Sequence, residues 1–146
     1  MSSRPVLSLF VFWLGLFFLV CSPGCSSPVK EVDIGDIGAL RTIASAYSKA
    51  AAKTGRPPTK PADLKPFLPE GADIEQLMSS TRDGQPYVIL WGTDPRPGKA
   101  GVAPVVIGYE TLGKNGTRFV FLDMGVVTMS DAQFAKANFP PGKKPD

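Results

Sequence analysis

Proline and glycine, fifteen of each, set the strongest limit on what this chain can build. Proline removes a backbone donor and fixes φ, and glycine supplies conformations that end regular elements, so turns are enforced along most of the length. A helical bundle is disfavoured on that ground. The 43% apolar and 20% charged residues are those of a globular chain, and 146 residues suit one domain.

The amino end is a separate matter. Arg4 precedes an apolar run from Val6 to Val20, which Pro23 and Gly24 terminate. A basic residue ahead of an apolar stretch of about 7 to 15 residues is the layout of a secretory signal, whereas a membrane-spanning helix needs about 20. Both cysteines, Cys21 and Cys25, fall at the end of this segment, so the mature domain carries no thiol for a disulfide or a nucleophile. The segment resembles a bacterial lipoprotein leader, with small Gly24 before Cys25 as the lipidated residue; Ser22 and Pro23 depart from the usual pattern. Ordinary cleavage near Gly24 and an uncleaved anchor remain open. The expected organisation is a signal peptide over 1–24, a lipidated Cys25 with a flexible tether over 25–36, a folded domain over 37–138 and a disordered tail over 139–146.

After the tether, Ile37, Leu40, Ala44, Tyr47 and Ala51 recur at three- and four-residue steps, which places them on one helical face. Asp36 is the expected cap, Lys49 and Lys53 suit the carboxyl end, and Gly55 before Pro57 and Pro58 is the stop. Beyond it, prolines alternate with Leu64, Phe67 and Leu68, a strap of short turns pressing apolar groups inward. Ile74, Leu77 and Met78 mark one or two helical turns.

The remainder reads as strands. An Asp83-Gly84 turn leads into Tyr87–Trp91, whose near-continuous apolar character implies burial on both faces or a place beneath a helix. A long exposed loop follows to Pro104. Val105–Glu110 and Arg118–Asp123 pair across a turn at Asn115-Gly116, and Val126–Met129 is a fourth strand. Asp123-Met124-Gly125 is read as a three-residue hairpin loop in which the aspartate accepts backbone N–H groups. Ser130, three residues ahead of Gln133, forms a capping box opening a short helix through Ala137, with Phe134 turned inward. The expected fold is α+β: one long N-terminal helix on an antiparallel sheet of about four strands, with a short C-terminal helix.

The absence of histidine excludes Ser-His-Asp and Cys-His catalysis and histidine-bound zinc. A net charge of +3, scattered along the chain, offers no nucleic-acid footprint. Ser45 and Lys49 lie one helical turn apart and could form a dyad, but that spacing is more often solvated surface. Asp63, Glu70, Asp73 and Glu75 form an acidic stretch with no paired geometry for acid-base work. No cofactor, metal or catalytic residue is expected. The candidate contact residues are Trp91, Arg96 and Lys99 of the long loop and Asp123 at the hairpin tip, although for Trp91 a core position at the strand end is the stronger reading. Trp91, Tyr87 and Tyr109 are the stacking platforms of an alternative reading, a carbohydrate- or peptide-binding envelope module.

Taken in order, Gly55, Pro58, Asp63 and Leu64, then Asp83, Gly84, Pro86 and Tyr87, resemble the periplasmic domain of type II secretion pseudopilins and related type IV pilin-like proteins. That family has a helix, a Gly-Pro connector with a following Asp-Leu, and an Asp-Gly-x-Pro-Tyr turn opening an antiparallel sheet. The resemblance covers about Ile37 to Tyr87. It implies a pilin-like head that makes protein contacts in secretion or cell-surface machinery. The family's prepilin site and polymerising apolar helix have no counterpart here. Major pseudopilins also bind calcium in a C-terminal loop; Asp94 and Asp123 are the oxygen ligands to nominate, far short of the six to eight that calcium takes. The expectation is a non-catalytic, exported lipoprotein held to a membrane by its N-terminal lipid and facing the periplasm or cell surface, with an envelope protein as partner.

Overall fold

The structure is a computed structural model that describes residues 34–98 and 100–145, with side chains from Ile37 onward. The leader, Cys25, most of the tether and Lys99 lie outside the described residues. In chain order come helix α1 (Ile34–Thr54), a 3-10 helix η1 (Pro61–Phe67) and the short helix α2 (Ile74–Leu77). Strands β1 (Tyr87–Ile89), β2 (Val106–Glu110), β3 (Thr117–Leu122) and β4 (Gly125–Ser130) follow, then helix α3 (Asp131–Ala135). The chain is thus mixed α+β, with one antiparallel sheet in the order β1-β2-β3-β4.

Alternation along the strands, reset in β2 by an irregularity between Val106 and Gly108, sorts the core into two layers, since successive side chains point to opposite faces. Tyr87, Ile89, Ile107, Phe119 and Phe121 turn one way and meet Ile37, Leu40, Ile43 and Tyr47 of α1, with Leu64 and Ile74 closing the edge. Val106, Tyr109, Val120 and Leu122 turn the other way and meet Phe134 of α3 and Phe139. Each fully buried side chain of this size contributes about 1.5–3 kcal/mol from apolar burial. The near-continuous apolar run in β1 follows from this arrangement: both faces of the sheet are covered.

Turn chemistry fixes the register. Asn115 (φ 55°) and Gly116 (φ 70°) form a two-residue turn, closed by Lys114 N–H to Thr117 O at 2.8 Å and Thr117 N–H to Lys114 O at 3.1 Å. At the start of α3, Ser130 Oγ accepts from Gln133 N–H and Gln133 Oε1 accepts from Ser130 N–H, a complete capping box.

Several boundaries differ from those the sequence suggests. Helix α1 begins at Ile34, which places Asp36 inside the first turn rather than at the cap and takes residues 34–36 from the tether. Strand β1 ends at Ile89, and Trp91 enters a turn in which Gly92 N–H bonds Pro58 O at 2.8 Å. The β3–β4 loop has two residues, not three, because Gly125, at φ 121°, already pairs with Leu122. Helix α3 stops at Ala135. Within the segment 139–146, Phe139 packs edge-on against Phe134 at 5.2 Å and Tyr109 at 6.0 Å, while Lys143 Nζ donates to Trp91 O at 2.6 Å.

Candidate interaction surface

The exposed loop and the hairpin tip come together at one end of the sheet. Asp123 N–H donates to Val105 O at 3.2 Å, and Asp123 Oδ2 accepts from Gly98 N–H at 3.4 Å. Asp123 therefore ties the long loop to the hairpin instead of accepting N–H groups of its own turn. Its Oδ1 is sealed from water without a hydrogen-bond partner among the described residues. Beside it Met124 is 77% exposed at the tip. Asp123, Met124 and Val126 line a groove of about 540 Å³ whose opposite wall is Arg41, Ser45 and Ser48 of α1.

The other nominated residues are placed differently. Trp91 is half-buried and stacks on Tyr47 with ring centroids 6.0 Å apart, so it belongs to the core margin. Tyr47 in turn donates to Thr93 O at 2.8 Å, anchoring the start of the loop, and burial pushes its phenol up to about 12. Arg96 is exposed, but its guanidinium forks onto both carboxylate oxygens of Asp94 within the same turn. Those side-chain bonds hold the Asp94 carboxyl below its usual value and lift the Arg96 guanidinium above its own. Lys99 lies outside the described residues.

Tyr87 and Tyr109 are buried, so neither they nor Trp91 present an exposed stacking shelf. Ser45 and Lys49 are both exposed on α1. Asp63 Oδ2 accepts from the backbone and hydroxyl of Thr59 at 2.9 and 3.1 Å, which holds its carboxyl low; Asp73 caps α2 by accepting from Glu75 N–H. Among the described residues, Asp94 and Asp123 join no group of three or more metal-binding side chains.

The most elaborate polar constellation is one that local sequence patterns do not reveal. Glu110, at the end of β2, has a carboxylate with 0% exposure. Its Oε1 accepts from Ser80 Oγ at 3.0 Å; its Oε2 accepts from Arg82 Nη1 at 3.0 Å and Phe119 N–H at 2.7 Å. Arg82 Nη2 donates onward to Lys114 O, Thr117 O and Thr117 Oγ1, each at 2.8 Å, and the guanidinium lies 4.4 Å over the Phe119 ring. Next to it, Asp83 Oδ2 accepts from Leu112 and Gly113 N–H at 2.9 Å, and Oδ1 from Gln85 N–H at 3.0 Å. Burial acts to raise the Asp83 carboxyl, but the Gln85, Gly113 and Leu112 donors outweigh it and the net shift is downward. These bonds fasten the 80–85 turn to the β2–β3 hairpin.

No protein-family model, curated protein or solved structure matches the chain.

Proposed function

We propose that the chain is an exported envelope lipoprotein, acylated at Cys25, whose head is a pilin-like α+β domain serving as a non-catalytic protein-interaction or assembly component of secretion or cell-surface machinery. In this reading the long amphipathic α1, seated on the four-stranded sheet, takes the place of the carboxyl half of a pseudopilin helix. A lipid at Cys25 takes the place of the membrane segment.

One observation supports the non-catalytic part: several carboxylates already have partners within the fold. Glu110, Arg82, Ser80 and Asp83 form a sealed clasp, Asp94 is forked by Arg96, and Asp63 and Asp73 cap their own turns. What remains open is a contact surface, the exposed Met124 tip and the loop that Asp123 holds against it. The alternative, a carbohydrate- or peptide-binding module built on Tyr87, Trp91 and Tyr109, has less support because those rings are packed inward.

Fractionation and lipid labelling of the full chain and its Cys25→Ser variant test the anchor. The wild type should incorporate lipid and sediment with membranes, and the variant should do neither; unchanged membrane retention of the variant counts against acylation.

A further inference from the structure

The described arginines divide into two groups. Arg82, Arg96 and Arg118 each meet a carboxylate of the fold, on Glu110, Asp94 and Asp131. Arg41 and Arg56 do not, and neither do Lys49, Lys53 and Lys60; all five are exposed, and none joins an ion pair among the described residues.

Helix geometry gathers these charges on one side. With Ile37, Leu40, Ile43, Tyr47 and Ala50 turned into the core, Arg41, Ser45, Ser48, Lys49, Ala52 and Lys53 share the outer face of α1. Arg56 and Lys60 continue the row past the carboxyl end of the helix, and no acidic residue occurs from 37 to 62. Between the cations the face carries small side chains, which lets the helix lie close to a broad surface. A hollow of about 210 Å³ opens on this face, where Arg41, Thr42, Ser45 and Lys49 meet Phe67 and Pro69 at the end of η1. Two cations with two hydroxyls are a donor set for a phosphate group. Asp63, Glu70 and Asp123 flank the row, and of these Asp63 is bonded to Thr59 and Asp123 to Gly98.

We propose that this face of α1 lies on an anionic phospholipid surface, with a lipid phosphate in the hollow beside Arg41 and Lys49. The proposal rests on reading Cys25 as the lipid anchor and adds how the head sits on the membrane. Nine residues take the chain from Cys25 to Ile34, a reach of at most about 30 Å. Held that close, the head meets the bilayer at an effective concentration on the order of millimolar, so a weak second contact suffices. A lipid chain with a basic patch is one of the combinations that hold a protein on a membrane. Charge also sets the orientation. Glu31, Asp33 and Asp36 against Lys30 make the approach to the helix acidic, so standing on its amino end would press carboxylates onto anionic headgroups. Lying on its side, α1 presents Arg41, Lys49 and Lys53 instead. The Met124 tip, across a groove from Arg41, is left for a protein.

The test uses the full chain matured in cells and reconstituted with vesicles of phosphatidylcholine, with or without phosphatidylglycerol. Because the lipidated mature chain has no thiol, Ala52→Cys on the basic face and Ala135→Cys on α3, which covers the opposite face of the sheet, each take one fluorophore. A quencher on the lipid headgroups reads their approach. Any label taken up by the wild type reports an unlipidated Cys25 and faults the anchor reading alone, while the difference between positions 52 and 135 still decides the proposal. Quenching at 52 should exceed that at 135 only when phosphatidylglycerol is present, and should vanish in about 1 M salt, where the screening length is about 3 Å. Arg41→Gln with Lys49→Gln should lower the ratio of adsorbed to free heads about twenty-five-fold, roughly fivefold for each cation. Lys114→Gln with Lys136→Gln, the same charge loss at exposed positions away from α1, should leave it unchanged. Equal quenching at the two positions, or quenching indifferent to vesicle charge, overturns the proposal and leaves the face to an acidic protein. Release of the head by inorganic phosphate beyond that by chloride at equal ionic strength also overturns it, assigning the hollow to a soluble anion.

Discussion

Replacing Arg82 by methionine is the most informative perturbation of the fold. The substitution keeps much of the apolar stem over Phe119 and deletes the guanidinium. The Glu110 carboxylate would stay sealed at 0% exposure with Ser80 and Phe119 as its remaining donors, and Lys114 O and Thr117 O would lose the Arg82 bonds. Removing one partner of a buried ion pair costs about 3–5 kcal/mol, because the other charge is stranded. A domain of this size has roughly 5–15 kcal/mol in all. Arg82→Met should therefore remove roughly a fifth or more of the stability. Converting both partners, Arg82→Met with Glu110→Met, should recover much of that loss, since apolar pairs of similar volume often match or exceed a buried ion pair. A double-mutant cycle should return a coupling of at least about 2 kcal/mol. Urea unfolding followed by the fluorescence of Trp91, stacked on Tyr47, provides the reading. An Arg82→Met variant within about 1 kcal/mol of wild type would refute the reasoning, because the clasp would then be hydrated and replaceable.

Tyr47→Phe should cost about 1 kcal/mol for the lost bond to Thr93 O. With its phenol pushed up to about 12, the wild type should also lose stability as pH rises from 10 through 12, and the variant should show a shallower slope, keeping the share of Tyr109, whose phenol burial also raises; alkaline unfolding curves of both proteins check this. Asp83 has the opposite sign. Its carboxyl is held low in the fold, so its contribution is present above the unfolded value of about 3.9 and is lost as pH falls through the lower folded value. Thermal unfolding at pH 6 and pH 3 should show a larger acid loss in wild type than in Asp83→Asn.

The strand periodicities and turn signals were legible because they are local. Asn115-Gly116 requires positive φ, Ser130 and Gln133 sit at capping-box spacing, and alternation in β3 places Phe119 and Phe121 opposite Val120 and Leu122. Together they give the mixed α+β class and the four antiparallel strands. The clasp was not legible, since Arg82 and Glu110 lie 28 residues apart and each reads singly as a surface charge beside a turn. The hairpin loop was read one residue too long because glycine at its end suggests a left-handed loop position, whereas Gly125 opens β4. Of the site, the sequence correctly marked the Asp123 tip as a turn. It could not foresee that the side chain bonds the distant Gly98, nor that Trp91 would be drawn onto Tyr47.

The central claim, an anchored head that meets its partner through the hairpin end, is tested most directly by placing a photo-crosslinking amino acid at Met124 in cells making the full chain, with exposed Glu70 as the control position. The account predicts a discrete higher-mass adduct from position 124 alone, lost when Cys25 is changed to serine. No adduct at 124, or the same adducts from both positions, would contradict it.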